Sequence, residues 1–160
     1  MSADSCVAYK LPRPGLVEWH RPADDLTRAQ PSRIAAPLPA HPGWFDRSQL
    51  EQALINLLMN AHEAGGPPEQ IEIAVAHIGA EQHIEIRDCG PGMSDVVLAQ
   101  AMLPFYSTKR SGMGLGLALA REIAEAHGGR ISLANREDGG LCVTLTLPLP
   151  SEAPFQAQEK

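Results

Sequence analysis

One long helix is predicted by the stretch DRSQLEQALINLLMNAHEAGGPP, residues 46–68. Ser48 stands three residues before Glu51, which is the spacing of a capping box, and the glycine and proline pairs at 65–68 predict the end of the helix. Between these limits, apolar side chains recur at the helical period and are expected to face the core: Leu50, Ala53, Leu54, Leu57, Leu58, Ala61 and Ala64. The stretch therefore predicts an amphipathic helix that packs one side against another layer.

A second face of this helix is polar but contains no lysine. At about 100° per residue, it collects Gln52, Asn56, Asn60 and Glu63. Asparagine lowers helix propensity, and among apolar neighbours its amide needs hydrogen-bond partners. Two interpretations are open. The amides bond to a neighbouring loop, or Asn60 offers a neutral oxygen to a hydrated Mg²⁺ that carries phosphates.

A β-hairpin is predicted next, from two alternating stretches, QIEIAVAHI at 70–78 and HIEIRDCG at 83–90. The period of two places the carboxylate of Asp88 on the same face as Ile84 and Ile86, where it needs a hydrogen-bond donor. The donor is either the exocyclic amine of a purine or an N–H group of its own loop. The glycines in GPGM, at 90 and 92, would let a flat ring approach the backbone, and both alternatives stay open.

A glycine-rich stretch, STKRSGMGLGLALA at 107–120, precedes a second predicted helix that begins near Leu115. A dinucleotide fingerprint or a protein-kinase loop needs a small residue where this stretch has leucine. A P-loop places its lysine after the last glycine, whereas Lys109 precedes the first. The remaining interpretations are a plain glycine-rich loop and an anion site, where glycines and a helix N-terminus approach a phosphate.

Composition narrows the class of protein. The chain has 160 residues and is 44% hydrophobic, which suits one domain with a core, and its net charge of −6 disfavours nucleic acid as a partner. No apolar stretch is long enough to span a bilayer, and the first residues do not resemble a signal peptide. Cys6, Cys89 and Cys142 lack the spacing of a zinc site or a disulfide framework, which favours a reducing cytoplasm.

The order of elements predicts one α+β domain between two irregular ends. Residues 1–32 are a proline-rich N-terminal segment, residues 33–150 form the domain, and residues 151–160 are a polar tail. Within the domain, a short strand near 33–37 is followed by helix, two strands, an irregular stretch, helix and two strands. This order predicts a two-layer α/β sandwich, in which a mixed sheet carries helices on one face.

Four motifs in one order resemble a known family. NLLMNAHEA, DCGPGM, PFYSTK and GMGLGLALA are similar to the N, G1, F and G2 boxes in the ATP-binding domain of sensor histidine kinases. That domain has the Bergerat fold of the GHKL superfamily, shared with gyrase. The resemblance covers residues 33–148, and the close spacing of PFYSTK and GMGLGLA is most similar to the nitrogen-regulation and dicarboxylate-sensor type.

The resemblance implies ATP and Mg²⁺ as cofactors and assigns roles to particular residues. Asn60 would ligate Mg²⁺, Asp88 would accept from the adenine amine, and Lys109, in a mobile lid over residues 93–111, would reach a phosphate. Asn60 and Lys109 are the implied catalytic residues, and Phe105 would anchor the lid. The implied nucleotide-binding set is Asn56, Asn60, Asp88, Gly90, Gly92, Met93, Phe105, Ser107, Thr108, Lys109, Gly112, Gly114, Leu115, Gly116 and Leu117.

Asn56 departs from one branch of the superfamily. In gyrase-type ATPases and anti-sigma serine kinases, the residue four before the Mg²⁺ asparagine is a glutamate that acts as general base. An amide cannot accept a proton at neutral pH, so water or a serine hydroxyl would be poorly activated here. A neutral imidazole already has a nitrogen lone pair, which favours phosphoryl transfer to histidine.

The acceptor histidine is expected outside this chain. Sensor kinases carry it on a two-helix dimerisation hairpin, and residues 1–45 are too short and too rich in proline to form one. None of the histidines is expected to be the acceptor, and His62 is expected on the surface. The hairpin would then lie in a longer parent chain or be supplied in trans, with a response regulator downstream and a monomeric isolated domain. The alternative function is a nucleotide-binding regulatory module, a pseudokinase without transfer.

Overall fold

The computed structural model describes residues 16–17, 33–35, 43–106 and 114–149. The strands are β1 Leu16–Val17, β2 Arg33–Ile34, β3 Gly43–Trp44, β4 Glu72–Ile78, β5 Glu81–Arg87, β6 Arg130–Asn135 and β7 Leu141–Pro148. The helices are α1 Arg47–Glu63, α2 Asp95–Gln100 and α3 Gly116–Ala126, with a 3₁₀ turn at Pro68–Gln70. Most of the predicted N-terminal segment and the whole predicted tail lie outside the described residues.

A mixed five-stranded sheet forms one layer, in the order β2-β4-β5-β7-β6. β2 runs parallel to β4 and the other neighbours are antiparallel, while β1 and β3 form a separate antiparallel pair. Alternation in β5 buries Ile84 and Ile86 beside Leu145 and Val143 of β7, on the face that α1 and α3 cover. The predicted two-layer α+β sandwich with a mixed sheet is confirmed.

The core side of α1 follows the predicted stripe with two differences. Leu50, Ala53, Leu57, Leu58 and Ala61 are buried. Leu54 is half-buried against the core, and Ala64 is the C-cap residue. The facing helix also presents small side chains, since Ala120 and Ala124 of α3 are both alanines that are fully buried. This pattern lets the two helices approach closely over the sheet.

The N-terminus of α1 is capped by Asp46, so the capping box predicted at Ser48 and Glu51 is wrong. Asp46 has an extended backbone, and its Oδ1 accepts from the N–H of Gln49 at 3.1 Å. The hydroxyl of Ser48 donates to the same oxygen at 2.8 Å, and Glu51 pairs with Arg47 at 2.8 Å. A charged carboxylate is the stronger acceptor, and it occupies the cap in place of the serine hydroxyl.

The cap makes the stability of the domain depend on pH. Burial disfavours the charged form of Asp46, but hydrogen bonds from Gln49 and Ser48 outweigh it and lower the pKa of this carboxyl. A lowered pKa stabilises the fold above the unfolded-state value of about 3.9, and this contribution is lost as pH falls through the folded-state value. Asp46→Ala should therefore cost about 1 kcal/mol at pH 7 and progressively less as pH falls below about 4.

Urea unfolding of Asp46→Ala at several pH values measures this effect. Asp46→Asn is the matched control, because an amide oxygen can still accept from Gln49 but does not titrate. A cost that stays constant from pH 7 to about pH 2 would show that the charge on Asp46 does not contribute.

A short helix lies inside the stretch that was predicted to be irregular. α2 begins after Ser94, whose hydroxyl oxygen accepts from the N–H of Val97 at 3.3 Å, and Asp95 lies in its first turn. Six residues are too few to show a helical period, so the capping serine was its main sequence signal. The helix places Val97 and Ala101 beside the cavity described below.

Within the described ranges, no helix combines the length and the apolar character needed to cross a membrane. Cys89 and Cys142 are free thiols. His62 was predicted on the surface but is half-buried in α1, with Nε2 enclosed.

Candidate functional site

A cavity of about 710 Å³ opens between the C-terminal half of α1, the end of β5, α2 and the N-terminus of α3. Its volume lies in the range of pockets that hold cofactors. The predicted residues that line it are Asn56, Asn60, Asp88, Gly92, Met93, Gly114, Leu115, Gly116 and Leu117. Residues far apart in the sequence are thus brought to one cavity by the packing of α1 and α3 over the sheet.

Other predicted residues do not line this cavity or cannot be placed. Gly90 and Phe105 are absent from its walls. Ser107, Thr108, Lys109 and Gly112 lie outside the described residues.

Asp88 follows β5 directly and is 4% exposed. Its Oδ1 accepts two backbone N–H bonds, from Gly90 at 3.0 Å and from Leu141 at 3.1 Å. In the part of the chain that the structure describes, no donor reaches Oδ2. The loop interpretation therefore holds for one oxygen, and the purine interpretation stays a prediction for the other.

The walls around Asp88 are apolar. Leu57 and Ala61 of α1, Ile86 of β5 and Val143 of β7 line the same cavity. Such walls suit a flat aromatic ring, and the carboxylate supplies a directional acceptor at its edge. This part of the cavity thus combines apolar walls with one directional acceptor.

The part of the cavity beside the start of α3 has the features of an anion site. α3 begins at Gly116, and Leu115 at its N-cap provides no side-chain hydrogen bond. The first N–H groups of the helix are therefore free of a side-chain cap, and the positive end of the helix dipole lies there. A Cβ on Gly116 would lie 3.4 Å from Nδ2 of Asn60, so the helix terminus and the Asn60 amide are close neighbours.

Asn56 lies one turn before Asn60 and also lines the cavity. Its Oδ1 accepts from the amide of Gln52 at 3.3 Å. Its Nδ2 is enclosed and has no partner in the described ranges. An enclosed amide donor beside a helix N-terminus favours an anionic ligand.

The glycines of GPGM are required by packing within the protein. A Cβ on Gly90 would lie 2.9 Å from the Cβ of Ala64, and a Cβ on Gly92 would lie 2.6 Å from Oδ1 of Asn135. Gly92 also has a φ of +73°, which disfavours any other residue. These packing contacts are sufficient to explain why glycine stands at both positions.

Phe105 does not anchor the predicted lid through its side chain, because that side chain is 76% exposed. Its backbone N–H instead donates to the carbonyl of Gly114 at 3.0 Å. A Cβ on Gly114 would lie 2.5 Å from the carbonyl carbon of Phe105, so the two backbones are in close contact. The backbones on either side of residues 107–113 are thus in direct contact.

Sequence reasoning missed two residues beside the cavity. The side chain of Asn135 bonds to the backbone of Met93, and the guanidinium of Arg136 donates to the carbonyl of Asp88 at 2.7 Å. Both contacts join residues more than 40 positions apart, so no local pattern indicates them.

Comparison with solved structures agrees with the architecture. The chain aligns with the catalytic domain of the histidine kinase ThkA at a TM-score of 0.68 and 27% identity, over 79% of this chain and 85% of that one. The predicted Bergerat fold is thereby confirmed.

Two curated relatives are sensor proteins. The chain is 45% identical to the C4-dicarboxylate transport sensor protein DctS of Rhodobacter capsulatus, in an alignment of 111 residues that covers 67% of this chain. It is 36% identical over 132 residues to the nitrogen regulation protein NtrY of Azorhizobium caulinodans, which covers 76% of this chain. Each alignment spans only 17% of the relative's own length. The predicted resemblance to the nitrogen-regulation and dicarboxylate-sensor type is confirmed.

A family profile covers most of the domain. The profile of the histidine kinase-, DNA gyrase B-, and HSP90-like ATPases matches residues 45–151, a range that includes every residue placed at the cavity. The chain belongs to the family of histidine kinase-, DNA gyrase B-, and HSP90-like ATPases.

Proposed function

We propose that the chain is the ATP-binding catalytic domain of a sensor histidine kinase. It delivers the γ-phosphoryl group of ATP to a histidine on a dimerisation hairpin, which a longer parent chain carries or another chain supplies, and a response regulator acts downstream. One observation supports this proposal above the others. The same cavity joins a buried carboxylate with an open oxygen, at Asp88, to a helix N-terminus without a side-chain cap, at Gly116.

The base end of the cavity accounts for the choice of adenine. Oδ2 of Asp88 accepts from the exocyclic amine of adenine, whereas guanine would present a carbonyl oxygen at the corresponding ring position. Two acceptors facing each other in a buried site are unfavourable. The apolar walls at Leu57 and Val143 contact the ring faces.

The phosphate end of the cavity suits a magnesium-bound triphosphate. The N–H groups at the start of α3 and the Nδ2 of Asn56 donate to phosphate oxygens. The oxygen of Asn60 is a neutral ligand of the kind that Mg²⁺ accepts, with phosphates and water completing the shell. Bound Mg²⁺ neutralises phosphate charge, and Lys109 is proposed to add a second cation to the same phosphates.

The transfer step needs positioning more than proton abstraction. A lone pair on the imidazole nitrogen of the acceptor forms the new P–N bond while the P–O bond to ADP breaks, and ADP leaves with the electron pair. The nitrogen is already nucleophilic, so Asn56 in place of a carboxylate does not impede this step. Water has no general base at this position, so hydrolysis is slow.

Turnover by the chain alone tests this proposal. We expect it to bind ATP yet to hydrolyse it at well below about 1 per second, a typical lower bound for enzymes. It should not label itself from ATP carrying a radioactive γ-phosphate. Addition of the dimerisation hairpin should give a product that is labile in acid and stable in alkali, as a phosphoramidate is.

Three outcomes separate the alternatives in that experiment. Rapid turnover by the chain alone would place it with the hydrolytic ATPases of its family. Binding without transfer to the hairpin would leave a nucleotide-binding regulatory module. A labelled hairpin in which histidine has been replaced would show that another residue accepts the phosphoryl group.

The setting of this activity follows from the same proposal. We propose a cytoplasmic location, since nucleotide and response regulator are cytoplasmic components, and the free thiols of Cys89 and Cys142 suit a reducing compartment. The isolated domain is proposed to be a monomer, because dimerisation is assigned to the hairpin.

A further inference from the structure

The turn between β6 and β7 contacts the loop that follows β5. Asn135, the last residue of β6, makes two hydrogen bonds to the backbone of Met93. The N–H of Met93 donates to Oδ1 at 2.8 Å, and Nδ2 donates to the carbonyl of Met93 at 2.6 Å. A planar amide that satisfies both backbone groups of one residue imitates a neighbouring strand and fixes the position of Met93.

The same turn holds the other end of that loop. The guanidinium of Arg136 donates to the carbonyl of Asp88 at 2.7 Å. Asp88 and Leu141 exchange hydrogen bonds, because the N–H of Leu141 donates to Oδ1 and the N–H of Asp88 donates to the carbonyl of Leu141 at 3.0 Å. Gly140 has a φ of +95°, and a Cβ there would overlap the carbonyl oxygen of Asp88, so the turn and the loop are in direct backbone contact.

Residues 88–93, held at both ends, form one wall of the cavity. Asp88, Gly92 and Met93 face the cavity, whereas Asn135 and Arg136 are outside its lining. Two glycines in the loop leave its backbone free to take many conformations in isolation. Contacts from the turn are therefore needed to hold Asp88 and Met93 in one arrangement.

We propose that Asn135 and Arg136 are positioning residues, which act through Met93 and Asp88 to set the affinity of the site for adenine and its selectivity over guanine. This inference rests on the proposed function, because it assigns the wall at 88–93 to the base. The turn itself does not touch the nucleotide. Its contribution is to keep the open oxygen of Asp88 at a fixed distance and angle from the base.

Asn135→Ala is the main test, with Glu137→Ala as the matched control. Glu137 is exposed in the same turn and does not line the cavity. Calorimetry should show that Asn135→Ala raises the Kd for ADP by about fivefold to tenfold. The Kd for GDP should change less, so the preference for ADP over GDP decreases. Glu137→Ala should change neither Kd by more than about twofold.

Hydrogen exchange without nucleotide tests the two hydrogen bonds between Asn135 and the backbone of Met93. The amide of Met93 should be protected in the wild-type chain and should lose about tenfold in protection in Asn135→Ala. Asn135→Asp keeps the acceptor for the Met93 N–H but places an oxygen opposite the Met93 carbonyl. It should therefore lie between the wild type and Asn135→Ala in both protection and selectivity.

Arg136→Met tests the proposal independently of Asn135. It removes the hydrogen bond to the Asp88 carbonyl while retaining an apolar stem, so the preference for ADP should narrow while protection at Met93 is retained. Thermal unfolding of each variant without nucleotide separates positioning from general destabilisation, because a smaller folded fraction weakens ADP and GDP equally.

Different results overturn different proposals. Unchanged protection at Met93 in Asn135→Ala would show that the Asn135 side chain does not hold Met93 in place. Lost protection with an unchanged ratio of the Kd values for ADP and GDP would show that this contact does not affect selectivity. If the wild-type chain bound no ADP, the proposed function would fail, whereas protection at Met93 would still report on its contact with Asn135.

Discussion

Asp88→Asn is expected to raise the Kd for ATP by about 30-fold to 100-fold while the domain stays folded. Oδ1 of Asp88 already accepts from Gly90 and Leu141, so the amide oxygen of asparagine will occupy that position. The amide nitrogen must then lie where Oδ2 was. A donor would face the adenine amine, which is itself a donor, and a buried pair of this kind lacks a hydrogen bond and leaves both groups desolvated.

Calorimetry with ATP and thermal unfolding without nucleotide measure the two parts of this prediction. Asp138→Asn is the matched control, because it removes the same charge from an exposed position in the β6–β7 turn. The control should bind ATP as the wild type does. Equal ATP affinity in Asp88→Asn and in the wild type would remove Asp88 from the base site.

Asn60→Ala is expected to remove most of the Mg²⁺-dependent part of ATP binding and to reduce phosphoryl transfer by about 100-fold or more. Its side chain lines the cavity and is close to the start of α3, so it is assigned to the ion and not to the core. Alanine also favours the helix, and the fold should remain intact. ATP titrations with Mg²⁺ and with excess chelator separate the metal-dependent part.

Gln49→Ala provides the control for this prediction on the same helix. Gln49 is an amide about three turns before Asn60 that does not line the cavity, and its bond to Asp46 uses the backbone N–H, which alanine retains. The variant should retain the full difference between titrations with and without Mg²⁺. An Asn60→Ala chain that unfolds, with no change in metal dependence where folded, would assign the amide face of α1 to structure alone.

Elements with a long local pattern were predictable from the sequence. The stripe on α1 spans several turns, and β4 and β5 alternate over seven residues each, so their periods outweigh single exceptions. The cap of α1 was misassigned because Asp46 and Ser48 are both good capping residues, and only the backbone conformation of Asp46 decides between them. The pair of β1 and β3 has two residues in each strand, too few to show a period.

The sequence predicted the polar residues that line the candidate site but not the residues that hold them in position. Asp88 stood out because it lies on the core-facing side of a strand, and Asn60 because its amide lies among apolar neighbours. Each polar group needs a partner, and both observations are local. Asn135 and Arg136 gave no such signal, since their partners Met93 and Asp88 lie 42 and 48 residues away. Phe105 was expected to anchor the lid on the family resemblance alone, and in the structure it has a φ of +64° and an exposed side chain.

The backbone bond between Phe105 and Gly114 has a consequence for how this family can vary. It joins the backbones on either side of residues 107–113, so the described part of the domain constrains only the separation of these two points, whatever the number of residues between them. The entropy of closing such a loop grows with the logarithm of its length, and each doubling costs only about 0.6 kcal/mol. The number of residues between Tyr106 and Gly114 is therefore expected to vary among members of the family at little cost in stability, with the sheet and helices unchanged.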